Sequence, residues 1–255
     1  MSRDAYQWGT SPTVVGKVIL LGDEKYFYAL NINTRRIKWK IKVNGTASSA
    51  AIKNGIAYFS VDSEFRIEPN KLYLYSVNIK NGKIRWKLKI NKSSGFFPST
   101  PVIDNESVYL TSEGEGLYVV DIHTGHKKWQ FKVDGILSSA TAIFKEVAYF
   151  AANGTLYAVN TKTGKEKWHF ETSGGESSNP SIADGIVYFV SSSKEDETLT
   201  FDDYLYAIEA ETGKIKWKYE QKKAHNYGGS SGQSLFVLDG VIYYSSHDRF
   251  LVALY

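Results

Sequence analysis

Five times along the chain a tyrosine stands 11 residues before a tryptophan, and the five copies align without a gap. They run from Tyr28-Ala29-Leu30-Asn31 to Trp39, from Tyr75-Ser76-Val77-Asn78 to Trp86, from Tyr118-Val119-Val120-Asp121 to Trp129, from Tyr157-Ala158-Val159-Asn160 to Trp168, and from Tyr206-Ala207-Ile208-Glu209 to Trp217. Four positions before the Trp comes Gly82, Gly125, Gly164 or Gly213, usually after a Thr, with Arg35 there in the first copy. A glycine fixed in a short connection supplies the positive-φ residue of a type I turn with a G1 bulge, which sends the chain straight back. Each copy therefore reads as a Tyr strand, a tight turn and a Trp strand.

Upstream of each Tyr strand two further short apolar runs recur. Examples are Pro180-Ser181-Ile182-Ala183, then Asp184-Gly185, then Ile186-Val187-Tyr188-Phe189-Val190, and likewise Ser49-Ala50-Ala51-Ile52 before Ile56-Ala57-Tyr58-Phe59. Four short strands in each unit of about 40 residues are the pattern of propeller blades. One such sheet cannot bury both faces alone, so neighbours must stack. A β-sandwich or barrel also has many short strands, but nothing in it demands an 11-residue register kept five times. The expected fold is all-β: a β-propeller of about six four-stranded blades, forming a single domain over residues 1–255. The approximate blades are 9–43, 44–90, 91–133, 134–172, 173–221 and 222–255.

Composition supports strands. Aromatic residues make up 15% of the chain, with eighteen tyrosines and a single Met, and aromatic side chains suit a pleated surface. No run of about 18 apolar residues is present, so no membrane-spanning helix and no direct membrane insertion are expected, and Met1-Ser2-Arg3-Asp4 opens no signal peptide. The absence of cysteine removes disulfides, thiolate metal sites and Cys nucleophiles.

The net charge of +4 comes largely from alternating runs such as Ile37-Lys38-Trp39-Lys40-Ile41-Lys42 and Lys214-Ile215-Lys216-Trp217-Lys218. Charge at every second residue is the period of a strand with one face buried, and lysine on an edge strand blocks aggregation. A nucleic-acid groove would instead place stacking aromatics beside the lysines on the same exposed face. The expectation is a solvated rim and no nucleic-acid partner.

These units resemble the repeat of pyrroloquinoline-quinone-type, or quinoprotein-like, propellers, over residues 11–255. In that family the Trp of each outer strand docks on the neighbouring blade. The resemblance implies that Trp39, Trp86, Trp129, Trp168 and Trp217, with Gly82, Gly125, Gly164 and Gly213, are blade-docking residues. It also implies two occupations. Quinoprotein dehydrogenases oxidise alcohols or sugars with a bound quinone and calcium, the alcohol-oxidising members using eight blades, an adjacent Cys pair and a catalytic Asp. Other members are non-catalytic propellers that scaffold outer-membrane barrel assembly or serve as sensor or adhesion domains of larger receptors and kinases. With no Cys and about six blades, no catalytic residue carries over. The expectation is a non-enzymatic propeller without a resident cofactor or metal, working in the periplasm or at the cell surface as a monomer or as a domain of a larger protein.

The sixth unit stops at Phe250-Leu251-Val252-Ala253-Leu254-Tyr255, short of a Trp strand. Trp8, numbered on past Tyr255, falls at 263, which is Val252 plus 11. Against this, Trp8 precedes Tyr28 by 20 residues, whereas Trp129 to Tyr157 takes 28. Either residues 2–8 supply a shortened closing strand or the chain is part of a longer protein. Residues 5–11 also resemble residues 224–230, which would make Trp8 a loop aromatic.

In a four-stranded blade the first-to-second and third-to-fourth turns share one side, and the remaining connections share the other. The first set is short and uniform; the second carries the insertions Ser63 to Asn70, Asn91 to Pro98, Ser192 to Asp203 and Gln221 to Gln233. Variable loops on a rigid scaffold are where binding usually resides. Phe65, Phe96, Phe97, Phe201, His225 and Tyr227, with Trp8, are therefore the candidate residues for a protein partner or small ligand. His123, His126, His169, His225 and His247 show no metal-ligand spacing, and no phosphate loop or nucleophile elbow occurs. The acidic stretch Glu195-Asp196-Glu197 with Asp202-Asp203 lacks the pattern of a calcium loop and reads as a solvated loop.

Overall fold

A computed structural model of the chain describes residues 11–63, 71–91, 99–135, 140–172, 176–195, 200–221, 235–245 and 251–254. These residues form strands and turns with no helix among them. The chain divides into two compact units, Met1–Ser112 with Val119–Lys128, and Glu113–Tyr118 with Trp129–Tyr255.

Six antiparallel sheets follow one another. The first is β1 (Thr13–Val15), β2 (Val18–Gly22), β3 (Tyr26–Asn31) and β4 (Ile37–Lys42), in that order across the sheet. In the second, β5 (Gly45–Ala47) and β6 (Ala51–Lys53) both pair with β7 (Ile56–Ser63), which is followed by β8 (Lys71–Asn78) and β9 (Ile84–Asn91). The third comprises β10 (Val102–Asp104), β11 (Ser107–Ser112), β12 (Gly116–Asp121) and β13 (Lys127–Phe131), and the division between units runs through it. The fourth is β14 (Ala142–Phe144), β15 (Val147–Ala152), β16 (Thr155–Asn160) and β17 (Glu166–Glu171). In the fifth, β18 (Glu176–Ser177) and β19 (Ser181–Ala183) pair with β20 (Ile186–Glu195), followed by β21 (Thr200–Glu209) and β22 (Ile215–Gln221). The sixth has β23 (Leu235–Leu238), β24 (Val241–Ser245) and β25 (Leu251–Leu254). The fold is a β-propeller, and these sheets are its blades.

Two turn chemistries set the register. Between the first and second strands the pairs Asn54-Gly55, Asp184-Gly185 and Asp239-Gly240 have positive φ at both residues, the type I′ geometry that matches strand twist. Between the third and fourth strands Gly82, Gly125, Gly164 and Gly213 sit at φ of 74°, 75°, 67° and 74°. The register of β16 on β17 shifts between Ala158 and Val159, and that of β21 on β22 between Ala207 and Ile208, as a bulge requires. Arg35 holds the same conformation at φ 57° without being glycine.

The apolar alternation of the strands becomes the core between sheets. In the first unit Leu20, Phe27 and Ala29 pack on Phe59, Tyr75 and Val77, with the Phe27 and Phe59 rings stacked at 3.7 Å. In the second unit Tyr149, Leu156 and Ala158 pack on Val187, Phe189 and Tyr206. The small residue at each centre lets adjacent sheets approach closely, as Ala29, Ala158 and Ala207 are fully buried.

One insertion differs from its reading as an irregular loop. Between Ser192 and Asp203 the chain continues the β20–β21 ladder, in register from Ser192↔Asp203 to Glu195↔Thr200. Asp203 is buried in that strand rather than solvated. Extended pairing satisfies the backbone of a long insertion that a loop would leave to water.

Candidate functional site

Four of the five repeat tryptophans are placed by their strands and held by the next sheet. The Trp39 Nε1 donates to Ile79 O at 2.8 Å, Trp86 to Ile122 O at 3.0 Å, Trp129 to Thr161 O at 3.1 Å and Trp168 to Ala210 O at 3.1 Å. Each accepting carbonyl lies three residues before the turn glycine. A Cβ on Gly82, Gly125, Gly164 or Gly213 would come within 2.8, 2.7, 3.0 or 2.7 Å of the Trp39, Trp86, Trp129 or Trp168 ring respectively. These glycines are therefore required twice, for positive φ and for the ring above them. Trp217 is 40% exposed.

A tyrosine in the second strand shares this joint. Tyr58 lies 5.8 Å from Trp86 and donates to the same Ile122 O at 3.4 Å. Tyr149 lies 5.7 Å from Trp168 and donates to Ala210 O at 2.8 Å, and burial pushes its phenol up to about 12. Tyr188 lies 5.9 Å from Trp217. Sequence reasoning missed these residues, although their signal was present as the tyrosine repeated at this place in the strand. The joint is thus built from an indole, a phenol and a backbone carbonyl that pack and hydrogen-bond together.

Among the described residues the third-to-fourth connection is five residues long in each of the five sheets where both strands are seen: 32–36, 79–83, 122–126, 161–165 and 210–214. The second-to-third connection ranges from two residues at 153–154 to seven at 64–70. Constant turns thus line one end of the strands and connections of varied length the other. Of the candidate binding residues, Trp8, Phe65, Phe96, Phe97, His225 and Tyr227 lie outside the described residues. Phe201 is in β21, opposite Lys194.

Two of the described histidines, His123 and His169, are engaged with carboxylates. His123 Nε2 bonds Glu106 on an exposed surface, and His169 Nδ1 lies 2.7 Å from Glu166. That bond to Glu166 raises the His169 pKa. His225 and His247 lie outside the described residues. Among the described residues no three His, Cys, Asp or Glu side chains converge to hold a metal ion. A shallow cavity of about 470 Å³ is lined by Ile56, Asn78, Asn81, Lys83, Ile84, Arg85 and His123 in the first unit.

A family model described as outer membrane protein assembly factor BamB matches residues 68–152 and 135–254. Among solved structures, BamB from Moraxella catarrhalis superimposes with a TM-score of 0.66 at 16% identity, covering 93% of this chain and 72% of that one. The quinohemoprotein alcohol dehydrogenase ADHIIG from Pseudomonas putida HK5 gives 0.58 at 16% identity, covering 82% of this chain and 41% of that one. A europium-containing methanol dehydrogenase gives 0.56 at 15% identity, covering 85% of this chain and 53% of that one. No curated protein sequence matches the chain significantly.

Proposed function

Because the chain belongs to the outer membrane protein assembly factor BamB family, we propose that it is a non-catalytic β-propeller that binds a protein partner and scaffolds its assembly. The observation that carries this reading is the asymmetry of the connections, constant at one end of the sheets and variable at the other. A surface that only had to stay folded would have no use for such variation, whereas a binding face is built by it. In this reading Phe65, Phe96, Phe97, Phe201, His225 and Tyr227, with Trp8, supply aromatic anchors. The protein works outside the cytoplasm, with no resident quinone or calcium.

The test replaces Phe96, Phe97 and Tyr227 together with Ser and measures cross-linked capture of envelope proteins alongside thermal unfolding. Capture is lost and the melting temperature is unchanged. Undiminished capture by this variant rejects the face. Pyrroloquinoline quinone with calcium is titrated in parallel, and a holo-type absorbance band rejects the non-catalytic reading.

A further inference from the structure

The outer strands of the first two sheets each carry a row of three cations. Lys38, Lys40 and Lys42 occupy alternate positions of β4, and Arg85, Lys87 and Lys89 those of β9. All six are exposed, and neither strand contains an acidic residue. The turns add Arg35, Arg36 and Lys83, also exposed. Elsewhere the row is broken: β13, also without an acidic residue, has Lys128 but Gln130 at the next alternate position, β17 carries Glu166 and Glu171 around His169, and β22 has Glu220 beside its terminal Gln221. The complete strand row of three cations without an acid therefore belongs to β4 and β9, two sheets of one unit, and is not a general property of the repeat.

Two features say what it recognises. Alternate residues of a strand are about 6.7 Å apart, so three cations in a row match an extended peptide with carboxylates at every second position. β4 and β9 are also the last strands of their sheets, and an edge guarded by lysine rejects neutral and basic strands while accepting an acidic one. Single-stranded nucleic acid needs open aromatic faces, and here they are covered. Lys40 Nζ sits over Tyr26 at 4.5 Å, and Lys87 Nζ over Tyr73 at 3.8 Å and Tyr75 at 4.9 Å. Those contacts hold the ammonium groups in place for carboxylates while removing the platform for bases.

We propose that the strip along β4 and β9 docks an acidic, extended segment of the protein partner. The inference rests on the reading of this protein as a partner-binding propeller and adds the chemistry of what is bound.

The experiment titrates a short peptide alternating Thr and Glu into the full chain at low ionic strength. Changing Lys38, Lys40, Arg85 and Lys87 together to Glu weakens binding by about tenfold or more, and added salt weakens it in the wild type. The matched change of Lys165, Lys167, Lys214 and Lys216 to Glu leaves it within about twofold. Gln in place of Glu in the first set gives a smaller loss in the same direction, and serves if the reversed variant does not fold. Equal losses in the two sets, or tighter binding of single-stranded DNA than of the peptide, overturn the proposal. Peptide binding that survives in the Phe96, Phe97 and Tyr227 variant, when envelope capture does not, separates the strip from the loop face.

Discussion

The Trp86 indole lies so close to Gly125 that a methyl group on the glycine would come within 2.7 Å of the ring. Gly55 has nearly the same backbone, at φ 74° against 75°, and nothing within 4 Å of a Cβ there. The pair separates backbone strain from lost room. Gly55→Ala costs about 1–2 kcal/mol from the left-handed conformation alone. Gly125→Ala costs about 2–5 kcal/mol, because overpacking adds to the strain. Urea unfolding of the two variants measures the difference, and equal costs would remove the ring from the account.

Tyr149 and Trp168 both donate to Ala210 O. Tyr149→Phe costs about 1 kcal/mol, the net worth of a buried hydrogen bond. Replacing Trp168 as well leaves that carbonyl without either donor, so the double variant loses more than the sum of the singles by about 0.5–3 kcal/mol. A double-mutant cycle in denaturant reads this directly.

The phenol of Tyr149 also titrates late, about 12 against the ordinary 10, because burial opposes its charged form. Its folded pKa lies above its unfolded value, so its contribution to stability is present in full below pH 10 and is lost as pH climbs towards 12. Tyrosinate absorbance followed alongside circular dichroism shows this ionisation arriving with alkaline unfolding, and Tyr149→Phe shifts that unfolding.

Lys145 and Glu146 occupy the turn that Asn54-Gly55 and Asp184-Gly185 make elsewhere, at φ 46° and 64°. Glu146→Gly relieves a left-handed residue and stabilises the protein by about 1 kcal/mol. It removes the Lys162–Glu146 pair, whose side chains are 70% and 55% exposed, and such a pair contributes little. A rise in melting temperature is the expected result.

Glu166 raises the pKa of His169 above its ordinary 6.5. The folded state therefore favours the charged ring, and this small contribution is fully present below pH 6.5 and fades as pH rises through the raised value. Stability measured across that window shows a shallow decline that His169→Gln abolishes.

The sheets were legible because their determinants are local. A positive-φ glycine, an Asx-Gly pair and alternating apolar residues each act within a few positions, and repetition locates them five times over. The extended β20–β21 hairpin was not legible, since Ser192 to Asp203 carries polar and acidic residues that read as a loop until a partner strand is known to face them. The lysine rows were visible as period-two charge, but that they cap the tyrosines beside them depends on the strand register.

The repeat, its four-strand unit, its turns and the tryptophan of the outer strand are all written in the order of residues. Which carbonyl and which glycine a tryptophan meets, the second-strand tyrosine that shares the joint, and the covering of neighbouring rings by Lys40 and Lys87 come from the packing of sheets and strands in three dimensions. The reason is range. Turn geometry and strand period are encoded over a few residues, whereas Trp86 and Ile122 become partners only when two sheets, each satisfied in its own hydrogen bonds, bury their faces against one another.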